Sequence, residues 1–195
     1  MPRRALLIEP LTLERWGDFE RLFGDNGACG GCWCMHAKLA HKEFEANKGA
    51  GNKRAQKRAV RGGAVPGVLG YLGDEPVAWI AIEPRETYPR LARSRVLAPV
   101  DDRPVWSITC FFVRRDARGT GLSVKMIEGA VAWARRQGAR CVEAYPVEPK
   151  KDRMPAAFAW TGIASSFRRA RFTEVARRSE TRPIFRRNVR PRARL

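Results

Sequence analysis

Residues 105–123 read VWSITCFFVRRDARGTGLS, and they spell out three structures in succession. Val105 to Val113 is crowded with β-branched and aromatic residues, which suit a pleated, buried surface and predict a central strand. The next residues, RRDARGTG, predict a turn. From Leu122 onward the apolar residues Leu122, Met126, Ala130 and Trp133 share one face, so a helix is predicted to Gln137, closed by Gly138. A strand feeding a glycine-rich turn and then a helix is a recipe for binding phosphate. Glycines let main-chain amides close on the anion, and the helix N-terminus adds the positive end of its dipole. Two familiar phosphate loops do not fit. A Walker A loop needs Lys then Ser or Thr after its last glycine, where Leu122 and Ser123 stand. A dinucleotide fingerprint puts its third glycine where Val124 stands.

Working outward, Ala5 to Ile8 predicts a first strand. Thr12 is placed to cap a helix whose apolar residues Leu13, Trp16, Phe19, Leu22 and Phe23 recur at helical spacing. A cysteine-rich segment follows, then a basic helical stretch from Asn52 to Arg61. Gly67 to Leu72 and Val77 to Ile82 predict a hairpin turning at Gly73-Asp74-Glu75. Residues 84–104 hold four prolines and no periodicity, which predicts a long functional or mobile loop. Beyond the helix come a strand, Arg140 to Tyr145, a short helix, Ala164 to Ala170, and a closing strand pair, Phe172 to Arg177 and Pro183 to Asn188. The expectation is one α/β (α+β) domain over 1–188, with 25–63 as an inserted Cys-rich and basic segment and 189–195 as a basic tail.

Composition limits what these elements can do. The chain has 195 residues, 44% of them hydrophobic and 30% charged, the profile of a globular protein with a real core. Neither a secretory leader nor a membrane span is expected, which predicts a cytoplasmic protein with no membrane partner. Five cysteines, three of them crowded together, argue against a disulfide framework. The net charge of +18 favours polyanionic partners: nucleic acid, acidic protein surfaces or a phosphorylated cofactor.

The run from Val113 to Ser123, with Arg118-Gly119-Thr120-Gly121-Leu122-Ser123 at its heart, resembles the signature of the GNAT N-acetyltransferases, Arg/Gln-x-x-Gly-x-Gly/Ala. Ser123 departs from it where Gly or Ala is usual. The order of predicted elements is similar to that family's, and SFRRARFTEV resembles its Tyr-x-x-x-Gly-Phe element. The resemblance implies a mixed, mostly antiparallel sheet flanked by helices, whose bulged central strand splays from a parallel neighbour to form an acyl-CoA slot. It implies acetyl-CoA as co-substrate, paired by the main chain of Phe111, Phe112 and Val113. The amides of Arg118, Gly119, Thr120, Gly121, Leu122 and Ser123 would hold the pyrophosphate. It implies an amide near Phe111 as donor to the acetyl carbonyl, and a primary amine, on a small molecule or a protein, as acceptor in a ternary complex. The oligomeric state stays open, a homodimer included.

Acyl transfer to an alkylamine, of ordinary pKa near 10.4 and so protonated at neutral pH, needs a base to free the nitrogen lone pair, and the leaving thiolate benefits from an acid. The family's usual phenolic acid corresponds to Phe167, which has no proton to give. Tyr145 and Ser166 are substitutes, or the thiolate leaves unassisted. Glu83 and Glu143, at or beside the slot, are candidate bases. Cys29-Gly-Gly-Cys32-Trp33-Cys34-Met35-His36 offers soft ligands of the kind zinc takes, but its spacing is cramped and no metal is expected. The other reading makes it a wall of the acceptor pocket, with Trp33 and Met35 facing inward. The basic helix around Lys53, Arg54, Lys57, Arg58 and Arg61 leaves a second function open: a nucleic-acid-associated protein, acetylating an RNA-borne amine if both functions coexist.

Overall fold

The structure is a computed structural model describing residues 5–150 and 158–189. Seven strands form one sheet in the order β1-β2-β3-β4-β5-β7-β6. They are β1 (Leu6–Pro10), β2 (Gly67–Leu72), β3 (Glu75–Pro84), β4 (Trp106–Val113), β5 (Cys141–Ala144), β6 (Thr173–Arg177) and β7 (Pro183–Asn188). Every neighbouring pair is antiparallel except β4 and β5. The hairpin joining β2 and β3 turns on Gly73 and Asp74, with Glu75 already in β3. The central position of β3 explains its sequence, because Pro76 to Glu83 is buried throughout and a strand covered on both faces need not alternate.

Helices cover both faces. On one, α1 (Trp16–Phe23) sets Trp16, Phe19 and Phe23 against Leu69, Trp79 and Ala81. On the other, α5 (Leu122–Arg136) buries Met126, Ala130 and Val131 against Val68, Ala78 and Ile80. The helix α1 begins three residues later than Leu13 suggests. Thr12 does not cap it: Arg15 stands at the cap with no side-chain bond, and Thr12 Oγ1 is buried without a partner among the described residues. The amides of Arg15 and Trp16 instead close a turn on the carbonyls of Thr12 and Leu13, leaving Leu13 half exposed.

Between α1 and β2 lie α2 (His41–Ala46), which the sequence periodicity did not predict, and α3 (Ala50–Arg61). The basic face of α3 is partly turned inward. Lys53 and Lys57 sit over the rings of Trp33 and Trp16, 4.9 and 5.4 Å from the centroids, and both approach Glu20. The stretch 84–104 is also more ordered than its prolines imply. It holds a 3-10 turn (Arg85–Thr87) and a one-turn helix, α4 (Pro89–Ala92), whose Leu91 joins a small core with Tyr88 and Tyr145. The short helix α6 (Ala164–Arg169) precedes β6. All seven strands, from Leu6 to Asn188, share the one sheet, while 190–195 of the basic tail lie outside the described residues. No helix among the described residues is long and apolar enough to cross a membrane.

Candidate active site

The site starts from a fork in the sheet. β4 and β5 share three rungs, Trp106 with Val142, Ser107 with Glu143 and Ile108 with Ala144. Beyond them β4 runs on to Val113 paired with β3 only. The register against β3 slips at this point, Ile82 facing Ile108 and Ala81 facing Cys110, so Thr109 is the extra residue of a bulge. A bulge bends its strand and increases the local twist, which carries the far half of β4 away from β5.

The loop after β4 arrives at α5 through Gly121, the residue before the helix, at φ 80°. This left-handed conformation strains any residue with a Cβ. No side chain caps the helix, and among the described residues the amides of Gly119, Thr120 and Gly121 donate to no backbone carbonyl. The Arg118 Nε–H donates to the Val113 carbonyl at 2.8 Å and the Thr120 hydroxyl to Ala117 at 2.9 Å. Side chains thus brace the loop while its amides stay available to an anion.

A cavity of about 450 Å³ lies along this loop and the free half of β4. Phe111, Phe112, Val113, Arg118, Gly119, Leu122 and Ser123 line one side, and Trp160, Gly162, Ile163 and Ser166 the other. Thr120 and Gly121 complete the loop at its exposed rim. Gly162, at φ 81°, is another enforced glycine, since a Cβ there would meet the rings of Phe167 and Phe111 at 2.7 and 2.9 Å. Phe167 is fully buried, edge-on to Phe172. The Phe111 amide is not the free donor that the resemblance implies. It donates to the carbonyl of Trp160 at 2.7 Å, which draws the segment around Trp160 across the open edge of β4.

Of the four catalytic candidates only Ser166 lines this cavity. Tyr145 lies beyond Trp160, in a separate cavity of about 440 Å³. Its hydroxyl donates to Glu143 at 2.6 Å, lies 2.8 Å from the Ser107 hydroxyl and accepts an Arg85 N–H. Burial, and then the Glu143 carboxylate, push its pKa well above the usual tyrosine value. Glu143 is fully buried and held by Arg85 and Arg186, each at 2.7 Å. Glu83 is buried in an ion pair with Lys38 at 2.6 Å. Neither carboxylate lines either cavity.

The cysteine-rich segment folds over the α1 side of the fork. Cys29, Cys32, Cys34 and His36 line an apolar pocket of about 250 Å³ with Phe44, Cys110, Phe112 and Trp160. Trp33 and Met35 are not its walls. Trp33 turns into the core against Phe19 and Phe23, and Met35 is buried away from the pocket. Burial pushes the Cys32 thiol up to about 11. A hydrogen bond with Cys34, together with burial, raises Cys110 well above the usual range. These groups are therefore thiols, not thiolates, at neutral pH. Cys34 Sγ accepts the Trp79 indole N–H at 3.1 Å. Among the described residues no three His, Cys, Asp or Glu side chains are grouped to hold a metal ion.

Sequence reasoning did not single out Trp160, which borders all three cavities, nor Thr109 or Arg90. Trp160 lies in a stretch with no periodic signal, and Thr109 looks like any strand residue until the register slips.

A family model described as "Acetyltransferase (GNAT) family" matches residues 33–158. Solved structures share the fold at low identity. An acetyltransferase from Thermus thermophilus is 18% identical, with 97% of this chain and 100% of that one covered at a TM-score of 0.51. A GNAT-family acetyltransferase from Listeria monocytogenes is 10% identical, with 94% and 95% covered at 0.58. The PaiA N-acetyltransferase from Thermoplasma acidophilum, in complex with coenzyme A, is 8% identical, with 95% and 99% covered at 0.52. No curated protein matches the chain by sequence.

Proposed function

The chain belongs to the acetyltransferase (GNAT) family, and from that premise we propose that it transfers an acetyl group from acetyl-CoA to a primary amine within a ternary complex. The observation that carries this reading is the cavity of about 450 Å³, which joins loop amides at the head of α5, donating to no backbone carbonyl among the described residues, to the stretch of β4 beyond its rungs with β5. A long cofactor with a pyrophosphate at one end and a thioester at the other suits a site so built. The coenzyme A complex of the Thermoplasma relative supports the same assignment.

Acetyl-CoA supplies a thioester: the C–N bond forms as C–S breaks, the nitrogen loses a proton and the thiolate gains one. This chain's residues serve that exchange in three ways. Gly119 to Ser123 offer amides and the helix dipole to the pyrophosphate. Phe111 to Val113 offer a strand edge to the amide-bearing arm, provided the Trp160 carbonyl releases the Phe111 N–H. Ser166, buried on the opposite wall, offers a hydroxyl to the departing sulfur. Glu83 and Glu143 serve as charge partners within the fold, so water in the cavity takes the amine proton. A reducing compartment, the cytoplasm, suits a chain whose five cysteines are all free.

Titrating acetyl-CoA into the wild type and Gly121→Glu tests the reading. The substitution forces a side chain into a left-handed position and sets a negative charge against the pyrophosphate. Binding at least 100-fold weaker is expected in a variant that keeps the wild-type circular dichroism. Equal affinity for the two proteins sinks the assignment.

A further inference from the structure

The cavity beyond Trp160 opens from the fork itself. Thr109 is the first residue of β4 past the last shared rung and Tyr145 the first past β5, and both line it. Trp160 separates it from the loop cavity and lines both. A molecule held there lies against the point where the thioester end of the slot must finish.

Its charge is one-sided. Arg90 and Arg93 come from α4 and the residue after it, and His41 from the head of α2. Arg90 spends one N–H on the His36 carbonyl at 3.1 Å. Arg182, from the connection between β6 and β7, lies behind the wall. Its guanidinium sits 5.9 Å from the Trp160 ring centroid and donates to the Thr161 hydroxyl at 3.0 Å. Among the described residues neither Arg90 nor Arg182 has a carboxylate within ion-pair distance, although Arg182 is partly buried. Among the described residues no carboxylate lines the cavity. The nearby acids are already matched: Glu143 by Arg85 and Arg186, and Glu45 by Lys48 at 2.5 Å. His36 reports the same field. Burial, and then Arg90 and His41, push its pKa down to about 4, with Glu45 opposing and Arg182 a smaller contributor.

A part-buried guanidinium on the cavity wall with no carboxylate partner among the described residues, backed by a second behind that wall, suits an anion. We propose that this cavity receives the amine acceptor, and that the acceptor is a small molecule whose amine is accompanied by an anionic group, a carboxylate or phosphate, held by Arg90 on the cavity wall, with Arg182 behind Trp160 and Thr161 adding to the positive field. The inference rests on the acetyl-transfer reading. It also explains how a chain of net charge +18 binds an amine, because a zwitterion loses little in a positive field whereas a polyamine is repelled.

Matched pairs test it, with CoA thiol release as the readout: L-phenylalanine against phenethylamine, O-phosphoethanolamine against ethanolamine, and spermidine as the polycation. The anionic member of at least one pair is expected to show kcat/KM at least tenfold higher, and which pair does so separates carboxylate from phosphate. Arg90→Gln should remove the preference by raising KM, with acetyl-CoA affinity unchanged, and Arg90→Lys should keep most of it. The inference is overturned if spermidine or the uncharged-tail amines react as well as their anionic counterparts. It is also overturned if the preference survives in Arg90→Gln/Arg182→Gln, or if a protein that binds acetyl-CoA acetylates no anionic amine in the panel. Failure to bind acetyl-CoA at all brings down the acetyl-transfer reading instead, and this one with it.

Discussion

The two sides of Trp160 are made of different material. On the loop side the polar groups facing the cavity belong largely to the main chain: amides from Gly119 to Ser123 and the edge of Phe111 to Val113, where the Phe111 amide meets the Trp160 carbonyl. On the fork side they are side chains, Arg90, His41, Tyr145 and Thr161, delivered by four separate segments. A main-chain site needs a backbone path, and few sequences give that path. A side-chain site needs a floor to hold its parts in register, here the buried cluster of Glu143, Arg85, Arg186 and Tyr145. The two sides should therefore fail in different ways when they are mutated.

The largest effect is expected at the floor. Glu143→Ala would leave Arg85 and Arg186 mostly buried, with side-chain exposures of 14% and 8%, and without their shared carboxylate. Breaking a buried pair by removing one partner costs about 3–5 kcal/mol. Urea unfolding should register a loss in that range, while the folded fraction binds acetyl-CoA within about threefold of wild type. A loss below about 1 kcal/mol would mean that the cluster is not what holds the fork, and the contrast between the two sides would break.

This contrast also governs what the sequence made legible. The loop was readable because its chemistry is local: Gly119 and Gly121 sit two apart, within a few residues of a β-branched and aromatic run and directly before a helical one. Their left-handed φ values, 76° and 80°, are what those glycines exist to allow. The fork-side cavity brings His36, Arg90, Tyr145 and Trp160 together across more than a hundred residues, and no spacing rule spans that distance. Thr12 misled because a hydroxyl before an apolar run has the look of a cap. The chain instead spends Thr12 to Arg15 on a turn that brings Trp16 and Phe19 onto Trp79. Trp33 and Met35 misled for a similar reason. Large apolar residues beside cysteines suggest pocket walls, whereas the core takes the large side chains and leaves thiols at the surface of the pocket.

A middle-sized effect should separate the two hydroxyl candidates. Ser166 lines the loop cavity, whereas the Tyr145 proton is committed to Glu143. A hydrogen bond to a charged group contributes about 1.5–3 kcal/mol, so Ser166→Ala should lower kcat about tenfold or more without changing acetyl-CoA affinity, the mark of an interaction made in the transition state. Tyr145→Phe should lower stability by about 1.5–3 kcal/mol, since a buried carboxylate loses a donor, and leave kcat within about threefold. The reverse order in steady-state kinetics would move the acid across Trp160 to the fork side and return Tyr145 to the chemistry.

The smallest effects are expected where the resemblance is most visible, at the side chains of the phosphate loop. Ser123 occupies a position where the family carries Gly or Ala, and in this chain it contributes an amide near the head of α5 like any other residue would. Ser123→Ala keeps that amide, keeps the helix and removes only a hydroxyl, so acetyl-CoA affinity should stay within about twofold. Arg118 is exposed and its Nε–H already serves the Val113 carbonyl. On the proposed reading its charge would therefore reach a bound pyrophosphate only through solvent, where an exposed ion pair contributes about 1 kcal/mol or less and salt screens it. Arg118→Ala should weaken binding about threefold at low salt and hardly at all at high salt. Gly121→Ala adds a single methyl to open space but must hold φ near 80°, a cost of about 1–2 kcal/mol for an L-residue. It should therefore weaken binding more than either side-chain deletion. Isothermal titration of the three variants at two salt concentrations ranks them. If Ser123→Ala or Arg118→Ala proved more damaging than Gly121→Ala, the anion would be held by side chains, and the loop would belong with the fork side of the comparison.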